Sequence, residues 1–345
     1  MTRRIKILVA DDSAFMRRAL SAMLEAQSDM SVVGTARNGE EAVAKTLALQ
    51  PDVVTMDVTM PGVDGLEAVR RIVAQAHVPI IMVSAHTKSG TETTFRALEL
   101  GAVDFVAKPD SAYANIEDVS RDLVEKVRGC AGRAHPAAAP RRAPQRLHGG
   151  RAERAASYGC VAIGASTGGP VALSNVIPSL PKAFPAAVVV VQHMPVGFTL
   201  ALARRLDALS QIEVVEGGEG AALVPGRATI APAGKQIALR RNAGGVTLHL
   251  CDDADALHVP SVDALASEVS KIYGSAGLAV ILTGMGRDGT AGLRRLKAAG
   301  GYVVGQDEAT CVVYGMPRAA ALAGLVDRVA PLSEIAEILC GLCST

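Results

Sequence analysis

Short apolar segments alternate with helical patterns through the first 130 residues of this 345-residue chain. Each segment has the length of a strand, and the patterns between them, such as Ala14–Ala26 and Leu66–Ala74, have the apolar spacing of helices. The predicted strands are Ile5–Ala10, Ser31–Ala36, Val53–Met56, Ile80–Ser84 and Val103–Ala107. Because repeated strand–helix units return each strand in the same direction, the pattern predicts an α/β domain with a parallel, doubly wound (βα)5 sheet.

A change in composition ends this alternation. Residues Ala131–Ser157 are rich in Ala, Pro, Arg and Gly and contain almost no large apolar side chain. Since such a segment cannot bury a core, we predict a flexible, mildly basic linker over 131–157, between a domain at 1–130 and a second domain at 158–345. Its arginines are able to contact acidic partners, although a solvated tether is the simpler interpretation.

Strands and helices alternate again after the linker. The predicted strands are Gly159–Gly164, Ala187–Gln192, Gly277–Leu282 and Tyr302–Val304, and helices are expected to begin near Gly169, Gly197, Asp288 and Pro331. Between the second and third strands, Arg227–Leu250 has the pattern of β-hairpins with a turn at Gly244-Gly245. The second domain is therefore predicted to be α/β, with a parallel sheet and an antiparallel hairpin insertion.

Charge and hydropathy exclude several classes of partner. The formal net charge is +1 at pH 7, so no strong field favours nucleic acid or an anionic membrane. Every apolar run is too short for a transmembrane helix, so we expect no membrane insertion, and six scattered cysteines are typical of reduced thiols in the cytoplasm. Cys340 and Cys343 form a single CxxC, which is better explained by two faces of a terminal helix than by a metal site.

Acidic residues stand at the carboxyl ends of the predicted strands in the first domain. Asp11 and Asp12 follow the first strand and Asp57 follows the third, while Ser84 and Lys108 mark the ends of the fourth and fifth. Ligands bind at this edge of parallel sheets, and three converging carboxylates suit Mg²⁺. The set predicts phosphoryl transfer onto Asp57, stabilised by the metal, the lysine and the hydroxyl. Any one of these acids alone is explained equally well as a helix cap.

These five residues, with the loop Met60-Pro61-Gly62, resemble a response-regulator receiver domain over Met1 to about Arg128. The resemblance implies that Asp57 is the phosphorylated residue, that Ser84 is the switch hydroxyl and that Phe105 is the switch aromatic. The family often has Thr and Tyr at the two switch positions, and Phe lacks the hydroxyl of Tyr. Phosphorylation is implied to require Mg²⁺ at the acidic residues.

A glycine-rich turn in the second domain matches a nucleophile motif. Gly164–Gly169 follows a predicted strand, precedes a predicted helix and satisfies G-x-S-x-G around Ser166. Its glycines permit a tight turn that exposes the serine oxygen, and the helix N-terminus offers backbone N–H groups to a developing oxyanion. The alternatives are a structural glycine turn and a phosphate-binding loop, although the latter lacks the lysine of a Walker sequence.

A base and an acid for Ser166 are available at the same edge of the predicted sheet. His193 and Asp288 each follow a predicted strand, and a serine nucleophile needs a histidine base held by an acid. The positions therefore predict a Ser166–His193–Asp288 triad. Asp288 would also suit the N-cap of the following helix. Alternatives to the last two members are His258 as base and Asp263 or Asp307 as acid.

The order Ser, His, Asp and the motifs around these residues resemble the catalytic domain of the chemotaxis protein-glutamate methylesterase (CheB) family. The matching segments are Gly164–Pro170, Gln192–Pro195, Pro260–Asp263 and Thr283–Gly289. The resemblance implies hydrolysis of glutamate methyl esters on methyl-accepting chemoreceptors, deamidation of receptor glutamines, and no cofactor for the esterase reaction. It also implies oxyanion N–H groups near Thr167 and Met285, a chemotaxis histidine kinase as phosphodonor, and activation by phosphorylation.

Other functions make different predictions. A transcriptional regulator would bind DNA through the second domain, but the net charge and the lack of a basic helix argue against it. An adaptor that uses its receiver only for docking would leave Ser166 unreactive toward serine-directed reagents. Within hydrolases, an esterase acting on a different ester is the remaining alternative.

Overall fold

Two units make up the part of the chain that the structure describes. The structure is a computed structural model, and it describes residues 3–84, 88–108, 116–131, 158–253 and 256–344. One unit lies within Met1–Pro140 and the other within Arg141–Thr345. The predicted linker falls outside the described residues except for Ala131, so the predicted domain boundaries stay predictions. Within the described ranges, no helix is both long and apolar enough to span a bilayer.

The first unit contains a five-stranded parallel sheet with a helix after each strand, which confirms the predicted (βα)5 fold. The strand order is β2-β1-β3-β4-β5, so β1 and β3 flank the point at which the winding reverses, where ligands bind in such sheets. The elements are β1 (Ile5–Ala10), α1 (Ala14–Glu25), β2 (Met30–Ala36), α2 (Gly39–Leu49), β3 (Val53–Asp57), α3 (Gly65–Gln75), β4 (Ile80–Ser84), α4 (Lys88–Glu99), β5 (Asp104–Ala107) and α5 (Ile116–Cys130).

Buried strands and polar caps explain why these elements form. Every residue of β3 and β4 is buried, as expected for strands that helices cover on both faces. Helices α1, α2 and α3 begin after Ser13, Asn38 and Asp64, whose side chains each accept a backbone N–H of the first turn. The strand and helix ends predicted for this unit all agree with the structure to within one residue.

The second unit contains a seven-stranded parallel sheet and a three-stranded antiparallel sheet, ordered β15-β14-β13-β6-β7-β10-β8 and β11-β12-β9. The α/β class with an antiparallel insertion is therefore confirmed. Its elements are β6 (Cys160–Ala165), α6 (Gly169–Val176), β7 (Ala187–Gln192), α7 (Phe198–Leu209), β8 (Glu213–Glu216), β9 (Ala221–Leu223), β10 (Arg227–Ile230), β11 (Gln236–Asn242), β12 (Gly245–Cys251), α8 (Val262–Tyr273), β13 (Gly277–Ile281), α9 (Thr290–Ala298), β14 (Tyr302–Gln306), α10 (Met316–Leu322), β15 (Arg328–Ala330) and α11 (Leu332–Cys343).

The core of this unit places the start of α8 beside the carboxyl ends of two central strands. The core joins apolar side chains of β7, β13, α8 and β12, among them Val189, Leu248 and Leu265. Val262, the first residue of α8, packs so closely on Gly164 that a Cβ at that glycine would lie 2.3 Å from Val262 Cγ1. A glycine at the end of β6 is therefore needed for the helix to begin at this edge of the sheet.

The predicted hairpins over Arg227–Leu250 are partly wrong. Strand β10 is not part of a hairpin, because it lies in the large sheet and pairs in parallel with β7 and β8. Its last three residues are buried, which an apolar run this short does not distinguish from a hairpin strand. The turn between β11 and β12 is also displaced by one residue, since Asn242 pairs with Gly245 and the Asn242 side chain accepts the N–H of Gly244.

Candidate active site

Three carboxylates and one ammonium group meet at the switch point of the first sheet. Asp11 follows β1, Asp57 ends β3, and one oxygen from each of Asp11, Asp12 and Asp57 lies within 4.8 Å of the others. Lys108 Nζ lies 2.8 Å from Asp11 Oδ2 and 2.9 Å from Asp57 Oδ2. The structure thus brings together all four charged residues that the sequence placed at this edge.

Burial and charge act against each other in this pocket. Burial raises the pKa of Asp57, and the negative charge of Asp11 adds to the rise, while the hydrogen bond and charge of Lys108 oppose it. Burial would lower the pKa of Lys108, but its contacts with Asp11 and Asp57 raise it, so the ammonium stays charged. One positive charge does not balance three carboxylates, and such an all-oxygen donor set suits a hard divalent cation.

The two predicted switch residues are buried in β4 and β5, the strands that follow β3 in the sheet. Ser84 ends β4 and is fully buried, and its hydroxyl donates to the carbonyl of Gly90 at 3.1 Å. Phe105, in β5, is 1% exposed and packs edge-on against Phe95 with ring centroids 6.2 Å apart. Lys126 of α5 lies over the Phe105 ring and donates to the Phe105 carbonyl. The aromatic side chain is therefore turned inward in this structure.

In the second unit, the predicted nucleophile and base follow neighbouring central strands. Strands β13, β6 and β7 are adjacent and parallel. Ser166 directly follows β6, His193 directly follows β7, and Asp288 lies in the loop after β13. Because the carboxyl ends of parallel strands share one edge, the three side chains emerge on the same edge of the sheet.

Close backbone approach shapes the turn that carries Ser166. Its N–H donates to the carbonyl of Thr283 at 3.0 Å, and its carbonyl accepts the N–H of Gly169 at 2.7 Å. Gly168 has φ +76°, a conformation that favours glycine. A Cβ on Gly284 would lie 2.8 Å from Ser166 Cβ. The loop after β13 therefore packs directly on the serine, and only glycine fits there.

His193 is bonded to Asp288, which is held at the start of α8. His193 Nε2 lies 2.8 Å from Asp288 Oδ2. The same carboxylate accepts the backbone N–H groups of Val262 at 2.7 Å and Asp263 at 2.9 Å and the Ser261 hydroxyl at 3.0 Å. Asp288 thus lies at the positive end of the α8 dipole.

These contacts keep the carboxylate ionised. Burial by itself would raise the pKa of Asp288, but the hydrogen bond and charge of His193, with the N–H groups of Asp263 and Val262, hold that pKa well below its ordinary value. An ionised, oriented acid fixes the histidine ring and stabilises the imidazolium that forms when histidine accepts a proton.

Asp263 and Asp288 each accept backbone N–H groups at the start of the helix that belongs to the other residue. Asp288 precedes α9, yet it accepts the first N–H groups of α8. Asp263 belongs to the first turn of α8, yet its carboxylate accepts the N–H of Gly292 in α9 at 2.7 Å. The alternative interpretation of Asp288 as the N-cap of its own helix is wrong, because α9 begins after Gly289 without a side-chain cap, and the N–H beside α9 that Asp288 accepts is that of its neighbour Gly289, at 2.9 Å.

The other two alternative residues, His258 and Asp307, make different contacts. His258 stacks on His193, with ring centroids 4.2 Å apart and planes 14° apart, so it supports the face of the predicted base. Asp307 bonds the hydroxyl and N–H of Thr310. In the described ranges, the carboxylate within hydrogen-bond distance of His193 is that of Asp288.

The predicted oxyanion residues belong to the two loops that meet at Ser166. The carbonyl of Thr167 accepts the Thr283 hydroxyl at 2.9 Å, which ties the serine turn to the loop after β13. Met285 follows Gly284, whose N–H donates to Val313 at 3.0 Å and whose carbonyl accepts the N–H of Met316 at 2.8 Å. The Thr167 segment is thus held by a side-chain hydroxyl, and the segment before Met285 by backbone hydrogen bonds.

Two models of known protein families match this chain. A family model described as CheB methylesterase matches residues 161–339, and one described as response regulator receiver domain matches residues 7–117. The chain belongs to the CheB methylesterase family. It is a hydrolase with an N-terminal receiver domain.

Similar proteins of the CheB family align with nearly the whole length of this chain. The protein-glutamate methylesterase/protein-glutamine glutaminase of Geobacillus kaustophilus is 45% identical over 98% of this chain and 98% of its own. That of Moorella thermoacetica is 42% identical over 98% of each chain. The crystal structure of the Thermotoga maritima CheB methylesterase catalytic domain is 45% identical, covers 54% of this chain and 99% of that one, and superposes with a TM-score of 0.53.

Several residues that shape the site in this CheB chain were missed by the sequence analysis. Ser261 caps α8 and donates to Asp288. The buried amide of Gln236 accepts the N–H of Ser261 and donates to the carbonyl of His258, both at 2.9 Å. The Thr283 hydroxyl donates to the carbonyl of Thr167 in the serine turn and accepts the N–H of Val313. Ser261 and Thr283 lie within the quoted family motifs, whereas Gln236 carries no local signal because its partners are more than 20 residues away.

Proposed function

We propose that this chain hydrolyses methyl esters of glutamate side chains on chemoreceptors, deamidates receptor glutamines, and is activated by phosphorylation of Asp57. The observation that carries the esterase proposal is the His193–Asp288 hydrogen bond at the strand edge where Ser166 emerges, with Asp288 ionised on the N-terminus of α8. The names of the relatives, protein-glutamate methylesterase/protein-glutamine glutaminase, support the choice of substrate.

Ser166 would be the nucleophile and His193 the base. With Nε2 bonded to Asp288, the ring nitrogen left to accept the serine proton is Nδ1. Attack on the side-chain acyl carbon forms the Ser166–acyl bond, and His193 returns the proton to the departing methanol or ammonia. Water then attacks the glutamyl ester and gives a proton to His193, and the bond between the acyl carbon and the Ser166 oxygen breaks as His193 returns that proton to the serine and glutamate is released. Backbone N–H groups near Thr167 and Met285 would stabilise the oxyanion in both steps.

The acidic pocket would hold Mg²⁺ through Asp11, Asp12 and Asp57. The donor set fits, because all three groups are carboxylates whose oxygens converge within 4.8 Å. When bound, the ion supplies positive charge that favours phosphorylation of an aspartate. Lys108 would pair with the phosphorylated side chain, since it already contacts Asp57 at 2.9 Å. The phosphodonor would be a chemotaxis histidine kinase.

The decisive experiment measures methanol released from a methylated chemoreceptor by the full chain, with and without a small-molecule phosphodonor and Mg²⁺. The proposal expects release that rises with the phosphodonor. Hydrolysis of a small ester without release from the receptor would instead favour an esterase with another substrate. Retardation of duplex DNA at low salt would favour a transcriptional regulator.

Replacing Asp57 by asparagine should remove the response to phosphorylation and keep the basal activity. Asparagine preserves the size of the side chain but cannot form the acyl phosphate. Methanol release by D57N is expected to be the same with and without the phosphodonor. The matched control is D64N, because Asp64 caps α3 and asparagine caps helices equally well. Activation of D57N as strong as that of D64N would contradict phosphorylation at this residue.

A fragment of residues 158–345 should be active without a phosphodonor and faster than the unphosphorylated full chain. We propose that the segments 1–130, 131–157 and 158–345 are a receiver, a linker and a catalytic domain. A tethered receiver docks at high effective concentration and would exclude a substrate as large as a receptor. Methanol release by the fragment and the full chain at equal concentration tests this. A fragment no faster than the full chain would mean that phosphorylation acts by direct activation or by substrate docking.

A further inference from the structure

The buried amide of Gln192 links the backbone of the predicted nucleophile to that of the predicted base. Gln192 is the last residue of β7 and is 1% exposed. Its Nε2 donates to the carbonyl of Ser166 and to the carbonyl of His193, both at 2.9 Å. Because both partners are carbonyl oxygens, only the amide nitrogen is able to face them, which fixes the orientation of the side chain.

These bonds lie just beyond the end of the ladder between β6 and β7. The last paired residues are Ala165 and Gln192, and the N–H of His193 donates to the carbonyl of Ala165 at 3.1 Å. After this point the two chains leave the sheet to form the serine turn and the histidine loop. The Gln192 side chain is therefore the direct link that continues the pairing to Ser166 and His193.

The surrounding structure makes room for this amide. A Cβ on Gly169 would lie 1.8 Å from Gln192 Oε1 and 2.7 Å from Gln192 Cδ, so glycine at the first position of α6 leaves space for it. Among the described residues, Gln192 Oε1 is buried without a hydrogen-bond partner. An unpaired buried carbonyl oxygen destabilises the fold. The presence of an amide here is therefore better explained by the two hydrogen bonds of its nitrogen than by a gain in folding stability.

We propose that Gln192 is a positioning residue that sets the distance and orientation between Ser166 and His193 for proton transfer. This inference rests on the proposed roles of those two residues. Gln192 is buried beneath the turn and would not touch the substrate, so its loss should slow the chemical steps and leave substrate binding intact. Small displacements of reacting groups are enough to lower rates strongly.

Gln192→Met, which keeps the length of the side chain and removes the donor, tests the proposal. We expect the acylation of Ser166 by a fluorophosphonate and the kcat for methanol release to fall by about tenfold to a hundredfold, with little change in KM. The matched control is Thr229→Val, an isosteric change at a buried residue of β10, the strand next to β7. Thermal unfolding of both variants verifies that each is folded.

Gly169→Ala provides a second test that leaves Gln192 in the chain. The added methyl group collides with the amide, so the same fall in acylation rate and kcat is expected. In Gln192→Ala the collision with the amide is absent and only the contact with Ala165 Cβ, at 2.9 Å, remains, so adding Gly169→Ala to that variant should cause a much smaller further fall than it does in the wild-type chain. These results would hold even if Gln192→Met were unfolded.

The outcomes separate this inference from the proposed function. Suppose that the wild-type protein reacts with fluorophosphonate and that folded Gln192→Met or Gly169→Ala reacts and turns over at the wild-type rate. This result would overturn the positioning role of Gln192 but not the proposed triad. A rise in KM with kcat unchanged would also overturn it, because the amide would then act on substrate binding. A wild-type protein that neither reacts with fluorophosphonate nor releases methanol would overturn the nucleophile itself and this inference with it.

Discussion

Replacing Ser166 by alanine should reduce methanol release by at least about a thousandfold. Without the hydroxyl no acyl-enzyme forms, and only the slow catalysis that the oxyanion donors give to a water attack remains. The change removes one atom from a half-buried side chain on a turn held by backbone bonds to Thr283 and Gly169, so folding should be unaffected. Methanol release from methylated receptor, measured beside thermal unfolding, provides the answer.

Ser174→Ala is the control for this experiment. Ser174 lies in α6, the helix that follows the serine turn, and its hydroxyl donates to the carbonyl of Pro170 at 2.9 Å. It should keep wild-type activity, because its hydroxyl is used inside the helix. Substantial methanol release by a folded Ser166→Ala protein would show that the nucleophile has been assigned to the wrong residue.

Asp288→Asn should lower kcat by about 10³- to 10⁴-fold. The asparagine oxygen can replace Oδ1 at Ser261 and the N–H of Asp263, which leaves its NH₂ group at the place of Oδ2. There the NH₂ would face the N–H of Val262 and donate to His193 Nε2. The ring would then carry its proton on Nδ1, the nitrogen that must accept the serine proton, and the base would be blocked.

The same change should also destabilise the protein, because the start of α8 exchanges an accepting carboxylate oxygen for a donor. Breaking such a buried bond costs about 1–3 kcal/mol, so the midpoint of thermal unfolding should fall. Asp307→Asn is the matched control, since Asp307 bonds Thr310 in a local turn. If Asp307→Asn slowed the enzyme and Asp288→Asn did not, Asp307 would be the better choice of acid.

Both folds could be predicted because the central strands of each parallel sheet are buried on two faces. A strand such as β6 or β7 contains no exposed residue, so it reads as a continuous apolar run that ends where the chain meets water. The polar and glycine-rich residues after such runs are then expected at one edge of the sheet. Ser166, His193 and the acidic residues of the first domain all follow or end such runs, so their positions at the sheet edges could be predicted without any long-range contact.

Pairing over long sequence distances could not be predicted in this way. Strand β10 has four residues, and nothing in its own sequence shows that it joins β7 and β8 in parallel instead of turning back on a neighbour. The partners of Gln192 are likewise invisible locally, because one of them is 26 residues away. A hydrogen bond of this kind exists only after the sheet has aligned the two strand ends.

The sequence by itself determined the two α/β folds, the edge of each sheet at which the predicted site residues lie, and the residue types available there. Which of the three candidate acids, Asp288, Asp263 or Asp307, contacts His193 was decided only by tertiary structure. Asp288 lies just before α9 and Asp263 in the first turn of α8, and an acid at either position suits the N-terminus of its own helix. Packing of Val262 on Gly164 and Gly289 brings α8 and α9 together, so each acid caps the helix of the other, and Asp288 is the one left facing the histidine.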